Sequence, residues 1–160
     1  MGAFGSAAVA NDGAGIAGYV TNYIITFTTP ATLPANSWFR LEFPTGFSFA
    51  SPLSSYVMED NTALTVATSG QVLMLTGLQN TLTAGTYRIK VINIRNPYTA
   101  TNATGSFIFE ALQYGVNTVI YNNSGIAGVA ISTGEITGVT VVGRLLVKNA
   151  LDDYTIRFLP

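Results

Sequence analysis

The sequence predicts an all-β fold, an antiparallel β-sandwich of about ten short strands. Three observations lead to this prediction. β-Branched and aromatic residues dominate the chain, turn signals interrupt them at short intervals, and no segment shows the 3.6-residue apolar repeat of a capped helix. With 160 residues, of which 48% are hydrophobic, the chain has enough apolar material for one domain with a sizeable core.

The first half of the chain contains two strong strand patterns. In segment 18–29, Tyr23 and Phe27 lie on one face, and Pro30 follows as a turn signal. Segment 37–43 alternates cleanly, with Phe39, Leu41 and Phe43 predicted to point inward and Trp38, Arg40 and Glu42 outward. Phe47 and Phe49 are spaced to close one end of the core. The predicted strands of this half are 6–10, 18–29, 37–43, 56–58, 63–67 and 71–76.

The second half continues the pattern with shorter strands. In segment 85–94 the apolar alternation changes phase at Ile92, which indicates a β-bulge or a strand that crosses between sheets. Asn96 and Pro97 end that segment. The predicted strands of this half are 85–94, 105–112, 118–121, 129–132, 138–142, 145–148 and 154–159.

Composition excludes several classes of function. Only 9% of residues are charged, against about 25% in ordinary globular proteins, and the net charge is −1. The seven basic residues form no run that would neutralise phosphates, so nucleic acid is not an expected partner. No apolar stretch is long enough to span a membrane. Because the chain has no Cys and no His, disulfides, imidazole metal sites and His-dependent catalytic triads are excluded. We therefore expect a protein that is not an enzyme and needs no cofactor.

The two ends of the chain resemble each other. Segments 23–30 and 154–160 both read Tyr-x-Ile-x-Phe with a following Pro. The echo is a coincidence of β-rich sequence, the start of a next tandem repeat, or the mark of a terminal strand that pairs with a neighbouring copy. On the last interpretation, residues 1–17 are a Gly/Ala-rich candidate donor segment, residues 18–148 form the sandwich, and residues 149–160 form a C-terminal strand between subunits or repeats. The candidate interface residues are Val9, Tyr154, Ile156 and Phe158.

Trp38 is the candidate ligand-binding residue. On the outward face of its strand, near Tyr19 or Tyr98, its ring would stack on a sugar, and burial beneath a loop or in a subunit interface is the alternative. The sequence also contains two N-glycosylation sequons, at Asn102 and Asn122, which we expect in surface loops.

Two acidic pairs carry the oxygen ligands that Ca²⁺ prefers. They are the run Glu59-Asp60-Asn61 and the pair Asp152-Asp153. Neither matches an EF-hand loop, and a polar turn in which the side chains bind nearby backbone groups is the favoured interpretation of both.

Several segments together resemble a known family. The segments are 23–29, 33–37 and 41–47, with Gly85-Thr86-Tyr87, Asn96-Pro97 and Gly105-Ser106-Phe107. They resemble the Ig-like β-sandwich repeats of large secreted and surface proteins of protists and prokaryotes, over about residues 18–145. A weaker resemblance is to extracellular filament subunits joined by donor-strand complementation. The resemblance implies an Ig-like or jelly-roll-like sandwich in an extracellular or cell-surface setting, and it brings no catalytic residues.

The function predicted from the sequence is a structural subunit of an extracellular or cell-surface filament, whose copies join through β-strand exchange or augmentation. Low charge and the terminal echo support it. One alternative is an Ig-like adhesin or carbohydrate-binding surface domain that binds glycans through Trp38. A second alternative is a viral capsid or coat protein. The expected partners are copies of the chain itself, with glycans under the first alternative.

Overall fold

The computed structural model describes residues 1–135, 137–143 and 154–159. In these residues all regular secondary structure is β, which confirms the predicted all-β class. The strands are β1 (Gly2–Ala3), β2 (Ser6–Asp12), β3 (Val20–Thr29), β4 (Trp38–Glu42), β5 (Ser48–Val57), β6 (Ala63–Ser69), β7 (Val72–Thr76), β8 (Gly85–Arg95), β9 (Phe107–Leu112), β10 (Val119–Ile126), β11 (Thr137–Gly143) and β12 (Tyr154–Leu159).

Ten strands form one continuous sheet rather than two separate ones. The order is β1-β10-β9-β4-β7-β6-β5-β8-β3-β2, and β11 and β12 form a separate two-stranded sheet. Neighbours are antiparallel, as predicted, except that β1 runs parallel to β10. β5 and β6 pair at only two positions, Ser55 with Leu64 and Tyr56 with Ala63. This short connection divides the sheet into two halves. One half contains β1, β10, β9, β4, β7 and β6, and the other contains β5, β8, β3 and β2.

Aromatic contacts show that the two halves pack against each other. The ring of Phe27 on β3 lies 5.5 Å from that of Phe39 on β4 and 5.1 Å from that of Phe109 on β9. Neither β4 nor β9 neighbours β3 in the sheet, so these contacts cross between facing surfaces. Tyr23 makes the equivalent contact with Phe43 at the other end of β3, at 5.9 Å. The sheet therefore curls until its inner faces enclose one core.

Phe4 links the two margins of the sheet. β1 and β2 lie at opposite ends of the strand order, yet only Phe4 and Gly5 separate them in the chain. The buried ring of Phe4 stacks on Phe109 at 5.0 Å and contacts Phe27 at 5.4 Å and Tyr121 at 5.5 Å. The N-terminal segment thus crosses from one half to the other and closes the core between them.

A buried polar group anchors the segment before β3. The Tyr23 hydroxyl donates to Asn96 Oδ1 at 2.6 Å and accepts from Asn11 Nδ2 at 3.2 Å. Asn96 Nδ2 donates in turn to the carbonyls of Ala14 and Ile16, at 3.2 and 2.8 Å. Each polar atom of the buried Asn96 side chain is therefore paired, as burial requires. Burial raises the pKa of the Tyr23 hydroxyl to about 12, although the hydrogen bond to Asn11 lowers it.

The strand pattern departs from the sequence prediction in several places, and the short β1 was not predicted. β5 begins at Ser48, whereas the sequence predicted a strand only over 56–58. Pro52 and the neighbouring serines give residues 48–55 only a weak strand pattern. Residues 129–132 form only isolated bridges, through Ile131 and Ser132, instead of a strand. The predicted strand 145–148 lies outside the described residues.

The predicted bulge in β8 is confirmed. Between the pairs Thr21–Ile94 and Tyr23–Val91 the register shifts, since β8 uses one residue more than β3. Asn93, inside this shift, has a φ of 69°, a conformation that Asn adopts more readily than most residues.

We expect Phe4→Ala to destabilise the fold by about 3–5 kcal/mol, because it leaves a cavity where the two halves meet. Urea unfolding at neutral pH measures this change. Tyr98→Ala is the matched control, since Tyr98 is 77% exposed and its loss should cost less than about 0.5 kcal/mol. Equal midpoints for Phe4→Ala and the control would show that Phe4 does not close the core.

We expect Tyr23→Phe to flatten the loss of stability at alkaline pH. Unfolded tyrosine loses its proton near pH 10, whereas folded Tyr23 keeps it to about pH 12. The folded state therefore binds more protons in this window, and the free energy of unfolding falls as pH rises, by up to roughly 3 kcal/mol from this group. Urea unfolding at steps from pH 9 to 12 should give a shallower decline for Tyr23→Phe. An identical decline in both proteins would contradict this prediction.

Candidate functional site

The described residues contain an open groove of about 580 Å³ at one end of the curled sheet. Its lining combines two aromatic side chains with amide, hydroxyl and thioether groups, and none of the lining residues is charged. The lining residues are Asn36, Trp38, Met74, Thr76, Gly77, Tyr114, Gly115 and Asn117.

Three turns build this groove around the start of β4. Asn36 has a φ of 63°, and its N–H donates to the Leu78 carbonyl at 2.7 Å, which ties this turn to the one after β7. The third turn joins β9 to β10, where the Gln113 N–H donates to the Thr118 carbonyl at 2.9 Å. In that turn Asn117 has a φ of 52°. Two of the three turns thus contain an asparagine with left-handed backbone, and the side chains of both asparagines line the groove.

Trp38 is half-buried, on the outward face of β4. Its partner in register is Leu112 on β9, and the next pair, Phe39 and Ala111, faces the core. The predicted alternation of this strand is therefore confirmed, and the Trp38 ring is neither sealed in the core nor free in solvent.

The aromatic neighbour of Trp38 differs from the prediction. Tyr114 lines the groove, and neither Tyr19 nor Tyr98 does. Phe39, next to Trp38, packs on Phe27 near the end of β3, whereas Tyr19 lies just before the start of β3. The two tyrosines are therefore at the opposite end of the curled sheet from the groove.

A compensated charge network continues the outer face beyond Trp38. Arg40 donates to Glu42 Oε2 at 2.6 Å and to Glu110 Oε2 at 3.0 Å. Asn122 Nδ2 donates to the other oxygen of Glu110 at 3.0 Å. One guanidinium between two carboxylates leaves this face with a single net negative charge.

Val9, a candidate interface residue, packs in the core of its own domain. β2 pairs with β3 of the same chain from Ser6 to Asp12, and Val9 is 8% exposed. The N-terminal segment therefore serves as an edge strand of this sheet in the structure. The opposite edge of β2 has no strand partner among the described residues.

The C-terminal candidates lie on β12, which pairs with β11 of the same chain. Tyr154 pairs with Gly143 and Ile156 with Val141, and Phe158 lies at a register irregularity before Leu159. Ile156 is 62% exposed, so an apolar side chain of β12 faces solvent. Its assignment to an interface stays a prediction.

The sequons occupy different environments. Asn102 is exposed in an irregular segment, as expected. Asn122 lies within β10 rather than in a loop, and its amide is bound to Glu110. The loop prediction for Asn122 is wrong because β10 extends to Ile126, well past its predicted end at residue 121.

The acidic run at 59–61 has internal partners. Asp60 Oδ1 accepts from the Thr62 N–H at 2.9 Å, and this hydrogen bond holds the pKa of Asp60 below its usual value. Glu59 accepts from the backbone and the guanidinium of Arg88, both at 2.9 Å. Asp152 and Asp153 lie outside the described residues. Within the described ranges no cluster of three acidic groups is placed to hold a metal ion, and no helix is long and apolar enough to span a membrane.

Comparisons with known proteins give structural likeness but no family. No protein-family model matches the sequence, and no curated protein matches it. Among solved structures, the chain is similar to BslA, a bacterial hydrophobin, with 18% identical residues and a TM-score of 0.45. The alignment covers 77% of this chain and 98% of the BslA chain. Evidence for function therefore comes from the residues of this chain.

Sequence reasoning missed Tyr114 and Asn117 as groove residues. The local signal was a Tyr-Gly turn after an apolar strand. Such a turn predicts a hairpin, but it does not predict which other strand lies beside the hairpin. Only the pairing of β9 with β4 brings this turn beside Trp38.

We expect Asn117→Val to destabilise the protein by about 1–2 kcal/mol, because a β-branched residue is strained at its φ of 52°. Asn117→Gly keeps this backbone conformation accessible and should stay within about 1 kcal/mol of the natural protein. Urea unfolding of both variants separates the two effects. Equal losses would show that the turn does not require a left-handed residue.

Proposed function

We propose that the protein is a non-enzymatic structural domain of an extracellular or cell-surface assembly, whose copies join into filaments by β-strand addition. The observation that carries this proposal is the open edge of β2. Both candidate donor strands pair within their own chain, so addition of an existing strand to this edge, rather than exchange, is the mechanism that fits.

The β2 edge lacks the usual protection against pairing. Natural edge strands carry Lys, Pro or bulges that block a further strand. Residues 6–11 read Ser-Ala-Ala-Val-Ala-Asn, without a charge or a proline, and they pair with β3 without a register shift. The one charged residue of β2, Asp12, forms an ion pair with Lys90 at 2.5 Å. Residues 6–11 are therefore an uncharged edge that pairs with no described strand on its outer side, although β10 packs near β2 where the sheet closes.

The hairpin of β11 and β12 is the complementary element. A two-stranded hairpin alone is marginally stable in water, and pairing with a further sheet would stabilise it. β12 has six residues and β2 has seven, so their lengths match. A hairpin of one copy on the β2 edge of the next is a head-to-tail contact, which does not close and produces a filament.

The composition agrees with a self-associating protein. A net charge of −1 supplies little colloidal repulsion between copies. The extracellular or cell-surface setting in this proposal follows the resemblance of the sequence to Ig-like repeats of secreted and surface proteins.

The double variant Ala8→Lys, Ala10→Lys tests the edge directly. Both alanines are exposed on β2, so the change adds edge charges without removing core contacts. We expect the natural protein to form fibres by electron microscopy and concentration-dependent oligomers by sedimentation velocity, and the variant to sediment as a monomer at the same concentrations.

The matched control is Thr99→Lys, Ala100→Lys. These residues are exposed between β8 and β9, outside any strand, and the net charge changes by the same two units. Assembly should survive in this control. Monomers of the natural protein at all concentrations, closed shells instead of fibres, or equal loss of assembly in both variants would contradict strand addition at β2.

A further inference from the structure

We propose that the groove between Trp38 and Tyr114 binds a neutral saccharide chain. This site is independent of the β2 edge, because its lining comes from β4, β7 and the turns before β4, after β7 and between β9 and β10. The inference rests on three properties of the groove, namely its aromatic walls, its uncharged hydrogen-bonding groups and its size.

The aromatic walls suit the apolar face of a sugar ring. Trp38 is half-buried on β4, so its ring is held by the strand while part of its surface stays open to the groove. Tyr114 is 72% exposed at the groove mouth, on a turn closed by the hydrogen bond between Gln113 and Thr118. Tryptophan and tyrosine combine a large flat contact surface with a polar group, and little side-chain entropy is lost when they bind a ligand.

The polar groups suit the hydroxyl edge of the same ring. Asn36 and Asn117 place amides at the groove, each of which both donates and accepts, and Thr76 adds a hydroxyl. Sugar hydroxyls likewise donate and accept. Nucleotides and other phosphate-bearing ligands need cations that this lining does not contain.

Charge favours a neutral rather than an acidic saccharide. The nearest charged group along β4 is Arg40, whose guanidinium is bound by Glu42 and Glu110. It is therefore not free to pair with a ligand carboxylate, and the net negative charge of the network would repel one. The groove volume of about 580 Å³ lies within the range of about 300–1,000 Å³ that is usual for small-molecule sites, and its open form allows a chain to continue past its ends.

The test uses the fluorescence of Trp38, which is the only tryptophan of the chain. The 160-residue chain is titrated with neutral hexasaccharides of glucose, mannose, xylose, galactose and N-acetylglucosamine, and with hexagalacturonate as the acidic probe. We expect a saturable change in Trp38 emission with at least one neutral hexasaccharide and none with the acidic one.

Two variants locate the site by isothermal titration calorimetry with the neutral hexasaccharide that binds. Tyr114→Ala should weaken binding about tenfold, and Asn117→Gly, which removes an amide but keeps the turn, should weaken it by a smaller factor. Tyr98→Ala is the matched control at a distant exposed tyrosine and should bind like the natural protein. Circular dichroism confirms that each variant is folded.

The proposal is overturned if none of the neutral probes gives saturable binding at millimolar concentration. It is also overturned if the acidic probe binds more tightly, or if Tyr114→Ala binds as well as the control. A Trp38 signal that depends on protein concentration alone would assign the groove to a second copy of the chain instead.

Discussion

Contact between Phe27 on one half of the sheet and Phe39 and Phe109 on the other is the interaction on which this fold depends. Ten strands in one open sheet would expose an apolar face along their whole length. The aromatic rings cover that face by bringing β3 against β4 and β9, and Phe4 extends the contact to the N-terminal segment. The sheet curls around these rings, and its two margins come close together. Strands β1 and β2, which are consecutive in the chain, can therefore lie at opposite ends of the strand order.

The same curl creates the β2 edge and the groove, the two surfaces proposed for self-association and ligand binding. It leaves residues 6–11 of β2 as an uncharged edge, since β3 pairs with only one side of that strand. It also gathers the turns before β4, after β7 and after β9 at the Phe27 end of the core, where their uncharged side chains line a groove. The other end is organised around the buried Asn96, whose Oδ1 accepts from the Tyr23 hydroxyl and whose Nδ2 donates to carbonyls of the loop before β3. An edge for self-association and a groove for ligand can therefore coexist without competing for residues.

Alternation made much of the fold predictable. Tyr23, Phe39 and Phe109 were recognisable as core residues because each lies in a run with period two, and the bulge in β8 showed as a phase change at Ile92. β5 was largely missed, because a proline and several serines weaken its local strand pattern and its pairing with β8 cannot be seen in the sequence. Trp38 was identified correctly as outward-facing, but its neighbour was not, because strand order decides which turn lies beside it.

The sequence alone determined the all-β class, the inward and outward faces of its best strands, and the absence of thiol and imidazole chemistry. These properties follow from local periodicity and residue type. Only the tertiary structure decided that the N-terminal segment pairs in its own sheet, that Asn122 lies in a strand, and that Tyr114 meets Trp38. Such facts depend on pairing between residues far apart in the chain, and alternation, which repeats equally in every strand, carries no information about which strands become neighbours.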